Sequence, residues 1–110
     1  MEGENRCQRL EFQLKLLLEM EEVDHYPFIK MIIEKRLTED EYEEVVELLE
    51  ELQQKFEAQK DEGMVHHYGL IIQFAGMLTP KLVPDEVMDA LIKEGRFLAL
   101  MEAFQKIKKG

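Results

Sequence analysis

Residues 38–62 read TEDEYEEVVELLEELQQKFEAQKDE, and the spacing of their apolar side chains decides the fold class. Tyr42, Val45, Leu49, Leu52 and Phe56 recur at alternating intervals of three and four, and Val46 and Leu48 widen the stripe. That is the period of an amphipathic helix, not of a strand. The ends agree with it. Thr38 and Glu41 have the spacing of a capping box, Glu39, Asp40 and Glu41 fall where the positive end of the helix dipole favours them, and Gly63 supplies a left-handed stop. At about 100° per residue the stripe covers roughly 160° of arc, more than one neighbouring helix can bury. The stretch therefore predicts a helix over about 39–62 with several others packed around it.

The same stretch holds eleven of the 24 acidic residues of the chain against only Lys55 and Lys60, a net charge of −9 out of a total of −10. Glu39–Glu43, Asp40–Glu44, Glu43–Glu47 and Glu47–Glu51 are like-charge pairs at i,i+4, each costing roughly 0.2–0.5 kcal/mol, with Glu51–Lys55 the one favourable pair. Tertiary packing has to outweigh that repulsion. The ordinary reading of such a run is a solvated face; the functional one is a docking surface for a basic protein partner on Glu43, Glu47, Glu50 and Glu51.

Working outward, the 110 residues read as a single all-α domain, 1–110, a multi-helix bundle of about six helices. The first, about 4–22, has one stripe of Cys7, Leu10, Leu14, Leu17 and Leu18 and, on roughly the opposite side, a second of Phe12, Leu16 and Val23. Pro27 opens a short helix over 27–36. Residues 64–78, MVHHYGLIIQFAGML, contain no acid, lysine or arginine and predict a buried core helix on which the acidic helix packs. They are too few for the roughly 20 apolar residues of a membrane span. Pro80 and Pro84 mark a break before a helix over 85–93, and Gly95 separates it from a last one over 96–108 carrying Phe97, Met101, Phe104 and Ile107.

Reactive groups are scarce. The chain has no serine, and its only threonines are Thr38, already used as a cap, and Thr79, beside Pro80. Cys7 is the one remaining nucleophile, and in an amphipathic helix a thiol usually serves as a small core side chain. Being single, it forms no internal disulfide, which fits a reducing, cytoplasmic setting, and MEGENRCQ has no secretory pattern. The glycines match no phosphate loop. Basic residues are thinly spread apart from Lys106, Lys108 and Lys109, which complement the end of the final helix, so nucleic acid and membrane are not expected partners.

Two constellations are weak metal candidates. Glu22 and His25 have the E-x-x-H spacing of di-iron bundles, but those use it twice, with two further glutamates. Glu62 and His66 lie at i,i+4 with His67 adjacent, while H-E-x-x-H and C-x-x-C are absent. We therefore expect no catalytic residues, metal or cofactor, the alternative being an enzyme or metal-binding protein built on Glu22/His25 or Glu62/His66/His67.

The segments DHYPFIKMIIEKRLTEDE, QKDEG, FAGML and EGRFLALMEAF together resemble the YhaI-like family of small uncharacterised proteins from bacilli and their relatives. That resemblance spans about Arg9 to Ile107. It implies an entirely helical, oligomeric protein and brings no known activity or site residue with it. The residues themselves point the same way, because helix one has two apolar sides and a surface helix of a small monomer needs only one. The expectation is a non-catalytic, self-associating interaction or regulatory module whose interface includes Phe12, Leu16 and Val23, with Gly69 and Gly76 allowing close helix approach.

Overall fold

Six α-helices and one 3-10 helix build the chain in the computed structural model, which describes residues 2–109. They are α1 (Glu2–Leu18), the 3-10 helix (Glu21–His25), α2 (Pro27–Glu34), α3 (Glu39–Asp61), α4 (Tyr68–Met77), α5 (Pro84–Glu94) and α6 (Leu98–Lys109). No strand occurs among the described residues. The long helix α3 packs against α4 and α6, α5 packs against α2 and α6, and the 3-10 helix sits on α2. α1 belongs to none of these packed pairs.

The stripe of α3 does what its width requires. Val45, Leu48, Leu49, Leu52 and Phe56 are all buried, joined by Phe28 of α2, Leu70 and Phe74 of α4, Val87, Met88 and Leu91 of α5, and Leu100, Met101 and Phe104 of α6. Phe74 and Phe104 meet with ring centroids 5.5 Å apart. Burying one such side chain stabilises by roughly 1.5–3 kcal/mol, several times the cost of a single like-charge pair on the outer face.

Local chemistry fixes the ends of the helices. The Thr38 hydroxyl accepts from the Glu41 amide at 3.2 Å, and the Thr38 amide donates to the Glu41 carboxylate at 2.8 Å, closing the capping box. Lys81 donates to the same carboxylate at 2.6 Å. This ammonium, with the Thr38 amide, holds the Glu41 carboxyl below its ordinary range. Three helices stop in the same manner. At Arg36, Gly63 and Gly95 the backbone turns left-handed, and paired amide-to-carbonyl bonds close the turn, as in Gly63 N–H to Lys60 and Met64 N–H to Gln59. Arg36, at φ 56°, adopts a conformation that glycine takes more cheaply.

One long-range contact stands out. α2 opens with Tyr26 and Pro27 and has no side-chain cap of its own. The Glu94 carboxylate, at the far end of α5, supplies one: its Oε1 accepts from the amides of Phe28 at 3.2 Å and Ile29 at 3.4 Å. Its side chain is only 5% exposed, with the Arg96 guanidinium 3.5 Å from Oε2 and 5.4 Å from the Phe28 ring. An anion at a helix N-terminus is favoured by the amide dipoles.

Three expectations need correction. Residues 64–67 are not helical. The turn at Gly63 ends α3, and α4 starts only at Tyr68, so the uncharged helix is shorter than 64–78. Nor is that helix buried all round, since Leu70 and Phe74 are buried but Ile72 is 70% exposed. The first helix ends at Leu18 instead of 22, and Val23 lies in the separate 3-10 helix, half-buried, off the Phe12–Leu16 stripe.

Replacing Glu94 with alanine leaves two α2 amides without their acceptor, and charge-assisted bonds of this kind contribute on the order of 1.5–3 kcal/mol. Urea unfolding should register a loss of about 2 kcal/mol for Glu94→Ala and a smaller one for Glu94→Gln, whose amide oxygen still accepts. Equal losses would mean that the carboxylate charge, not its acceptor geometry, sets the effect.

Candidate interaction surface

α1 and the turn after it present apolar side chains that the described residues leave largely exposed. Leu10, Phe12, Leu16 and Leu17, and Met20 just past the end of the helix, are all about half exposed or more, Phe12 reaching 60%. Only its other side approaches the body, across a cleft of about 700 Å³ lined by Leu14, Leu18, Ile32, Ile33 and Leu37. There a weak ion pair, Glu11 to Arg36 at 3.9 Å between two exposed groups, is the polar contact. The radius of gyration is 16.7 Å, with extents of 60 × 27 × 21 Å, against about 13 Å for a compact chain of this length. α1 is an arm.

α4 carries the second uncovered surface. Its buried side, Leu70 and Phe74, faces the core; on the outer side stand Tyr68 and Ile72, preceded by Val65 at 79% exposure and followed by Met77. Gly69 and Gly76 lie on this outer side, and a methyl group added at either would meet nothing within 4 Å. Among the described residues nothing makes the close approach that these glycines permit. Along one border Gln73 accepts from Lys55 at 3.0 Å and donates to Glu51 at 3.1 Å, so the acidic edge of α3 runs beside the apolar strip.

The histidines and their neighbouring carboxylates do not share a site. Glu22 and His25 are both exposed on the 3-10 helix, and His25 is the last residue of that turn. Glu62 caps α3, its amide bonded to Ala58. The stop at Gly63 removes the helical spacing that would have placed it under His66. His66 is exposed and stacks on Tyr68, with centroids 5.5 Å apart. His67 is buried, donating from Nδ1 to the Gln59 side-chain oxygen at 2.7 Å and packing edge-on against Phe56 at 4.8 Å. Among the described residues no three His, Cys, Asp or Glu side chains converge on one point. Cys7, expected in a core, is exposed on α1.

On the acidic face Glu43, Glu44, Glu47 and Glu50 are exposed, with no ion pair to them among the described residues, while Glu51 is 3.7 Å from Lys55. At the C-terminal end Lys108 pairs with Asp85 at 2.7 Å. No helix of the described residues is long and apolar enough to cross a membrane.

An all-helical chain with this arrangement matches, over residues 1–109, the family described as "Protein of unknown function (DUF1878)". The protein belongs to that family.

Sequence reasoning missed Val65, Tyr68, Ile72 and Met77 as surface residues, although the spacing of Val65, Tyr68, Ile72 and Gly76 was there to be read as one side of a helix. It also missed the partnership of His67 with Gln59. Truncating His67 removes a buried hydrogen bond and an aromatic contact, so His67→Ala should cost on the order of 1–3 kcal/mol in chemical denaturation. His66→Ala, at an exposed position, should stay within roughly 0.5 kcal/mol of the parent. Similar losses in both variants would contradict the burial difference between the two rings.

Proposed function

We propose that this protein is a non-catalytic module that works by associating with copies of itself through α1 and the outer face of α4. The observation that carries this reading is α1. An isolated helix of its 17 residues is marginal in water, because nucleation is costly and helices in proteins draw their stability from packing an apolar face. Among the described residues, the side of this helix that carries Phe12 and Leu16 stays about half exposed or more. Leu10 and Leu17 on one side and Phe12 and Leu16 on the other are each about half exposed, and completing the burial of such side chains is worth on the order of 1 kcal/mol apiece. Contiguous apolar surface on this scale marks contact sites in soluble proteins. The narrower likeness to YhaI-like proteins, which implies an oligomer, favours the same reading.

In this reading the acidic face of α3, with Glu43, Glu47 and Glu50 free of ion pairs among the described residues, stays in solvent as a surface for a basic protein partner. A cytoplasmic setting suits the exposed, unpaired thiol of Cys7.

The direct test is light scattering during size-exclusion chromatography at tens of micromolar protein. A mass that is a multiple of 13.0 kDa is expected, and Leu16→Glu should reduce it toward one chain while leaving α3 and the core folded. A parent mass of one chain would overturn the proposal.

A further inference from the structure

We infer that the cleft over His67 is a binding site for a small aryl carboxylate that also carries one hydrogen-bond donor. His67 is the single polar side chain among the buried described residues, and it is not shut inside the core. It lines a cleft of about 540 Å³ where the end of α3, residues 64–68 and α6 meet. Clefts of that size hold small molecules. The site shares Val65 and Tyr68 with the outer strip of α4, but it is argued from its own groups and does not rest on self-association.

The histidine supplies the polar anchor. Its Nδ1 donates to the Gln59 side-chain oxygen at 2.7 Å, which leaves Nε2 of the neutral ring as an acceptor. Nε2 has no hydrogen-bond partner among the described residues and is not sealed from solvent, so it opens onto the cleft. The ring is held in place, because Phe56 packs edge-on against it with centroids 4.8 Å apart. Buried polar groups ordinarily have partners. An acceptor fixed in the wall of a cleft selects a ligand group that donates, an N–H or a hydroxyl.

Charge and shape define the rest of the ligand. Lys60 and Lys106 both line the cleft, and neither forms an ion pair among the described residues. The Lys60 ammonium lies 5.2 Å from the centroid of the same Phe56 ring that supports His67, so one aromatic ring carries both the cation and the acceptor. Against the two lysines the lining holds a single carboxylate, Glu102, in a chain of net charge −10. An anion is therefore favoured here and repelled almost everywhere else on the surface. The lining includes no arginine fork for a phosphate, which makes a carboxylate the fitting anion. Met64, Ala99 and Ala103 give the cleft apolar walls, and His66 stacked on Tyr68 at 5.5 Å gives it an aromatic edge on which a planar ring can pack.

Indole-3-propionate combines an aromatic body, one N–H and a carboxylate, and its calorimetric titration into the full chain tests the site. Saturable binding at one site per chain is expected. The N-methyl form, without the donor, and indole-3-propionamide, without the charge, should each bind on the order of tenfold more weakly. Lys60→Met combined with Lys106→Met should bring the propionate down to the level of the amide and leave the amide unchanged. His67→Phe keeps an aromatic ring but removes the acceptor, and should abolish the difference between the propionate and its N-methyl form. Should that variant not fold, Ala99→Trp serves instead: it starts from an exposed position, fills the cleft and should abolish binding of all three compounds while helical content stays that of the parent. No saturable binding to the parent at millimolar ligand, equal affinity for the three compounds, or binding that Ala99→Trp leaves intact would overturn the inference. The mass of the assembly is measured on the same samples, and a single-chain mass with binding intact would count against self-association and not against this site.

Discussion

Everything in this fold depends on the burial of one side of α3. The helix is loaded with carboxylates that repel one another along its outer face, and by itself it would gain little from forming. Val45, Leu48, Leu49, Leu52 and Phe56 change that, because removing five apolar side chains from water outweighs a handful of weak repulsions. Their common face is too wide for one neighbour, so α4 and α6 come in on either side and α5 closes the layer against α2. The Glu94 carboxylate then fastens α2 to the end of α5 by serving as the cap that Tyr26 and Pro27 do not provide.

Once α3 has been covered, apolar surface is left over. The core takes one side of α4 and nothing of the outer side of α1, so the helices that complete the sequence pattern do not complete the packing within one chain. The excess radius of gyration is the geometric expression of that surplus. Both leftover surfaces are free of buried polar groups and metal-ligating clusters among the described residues, and their chemistry suits the covering of one helix by another.

The helical fold was legible because its signals are local and redundant. Thr38 and Glu41, the period of α3, Pro27, and Gly63 and Gly95 each act over a few residues, and each appears in the structure in its expected role. What was not legible depended on where the chain goes next. The absence of charge in 64–78 gives no indication of which side faces the core; that depends on Leu70 and Phe74 meeting α3 and α6, a matter of tertiary placement. The stop at Gly63 was visible, but not that the backbone would stay out of helix until Tyr68 so that His67 could reach Gln59. Glu94 looked like one more acid at the end of a helix, because its partners, the amides of Phe28 and Ile29, lie 66 and 65 residues away. The surplus on α1 could be read from its two stripes. Val23 fell off the second because the turn after Leu18 restarts the chain as a 3-10 helix, whose tighter period breaks the register.

Hydrogen exchange of the α1 amides at several protein concentrations tests the central claim most directly. If copies of the chain cover this arm, the amides of residues 9–18 are slow to exchange at tens of micromolar and lose protection on dilution, while those of α3 keep theirs. Exchange in α1 at the rate of an open chain at every concentration would contradict the claim, and so would protection that dilution leaves unchanged.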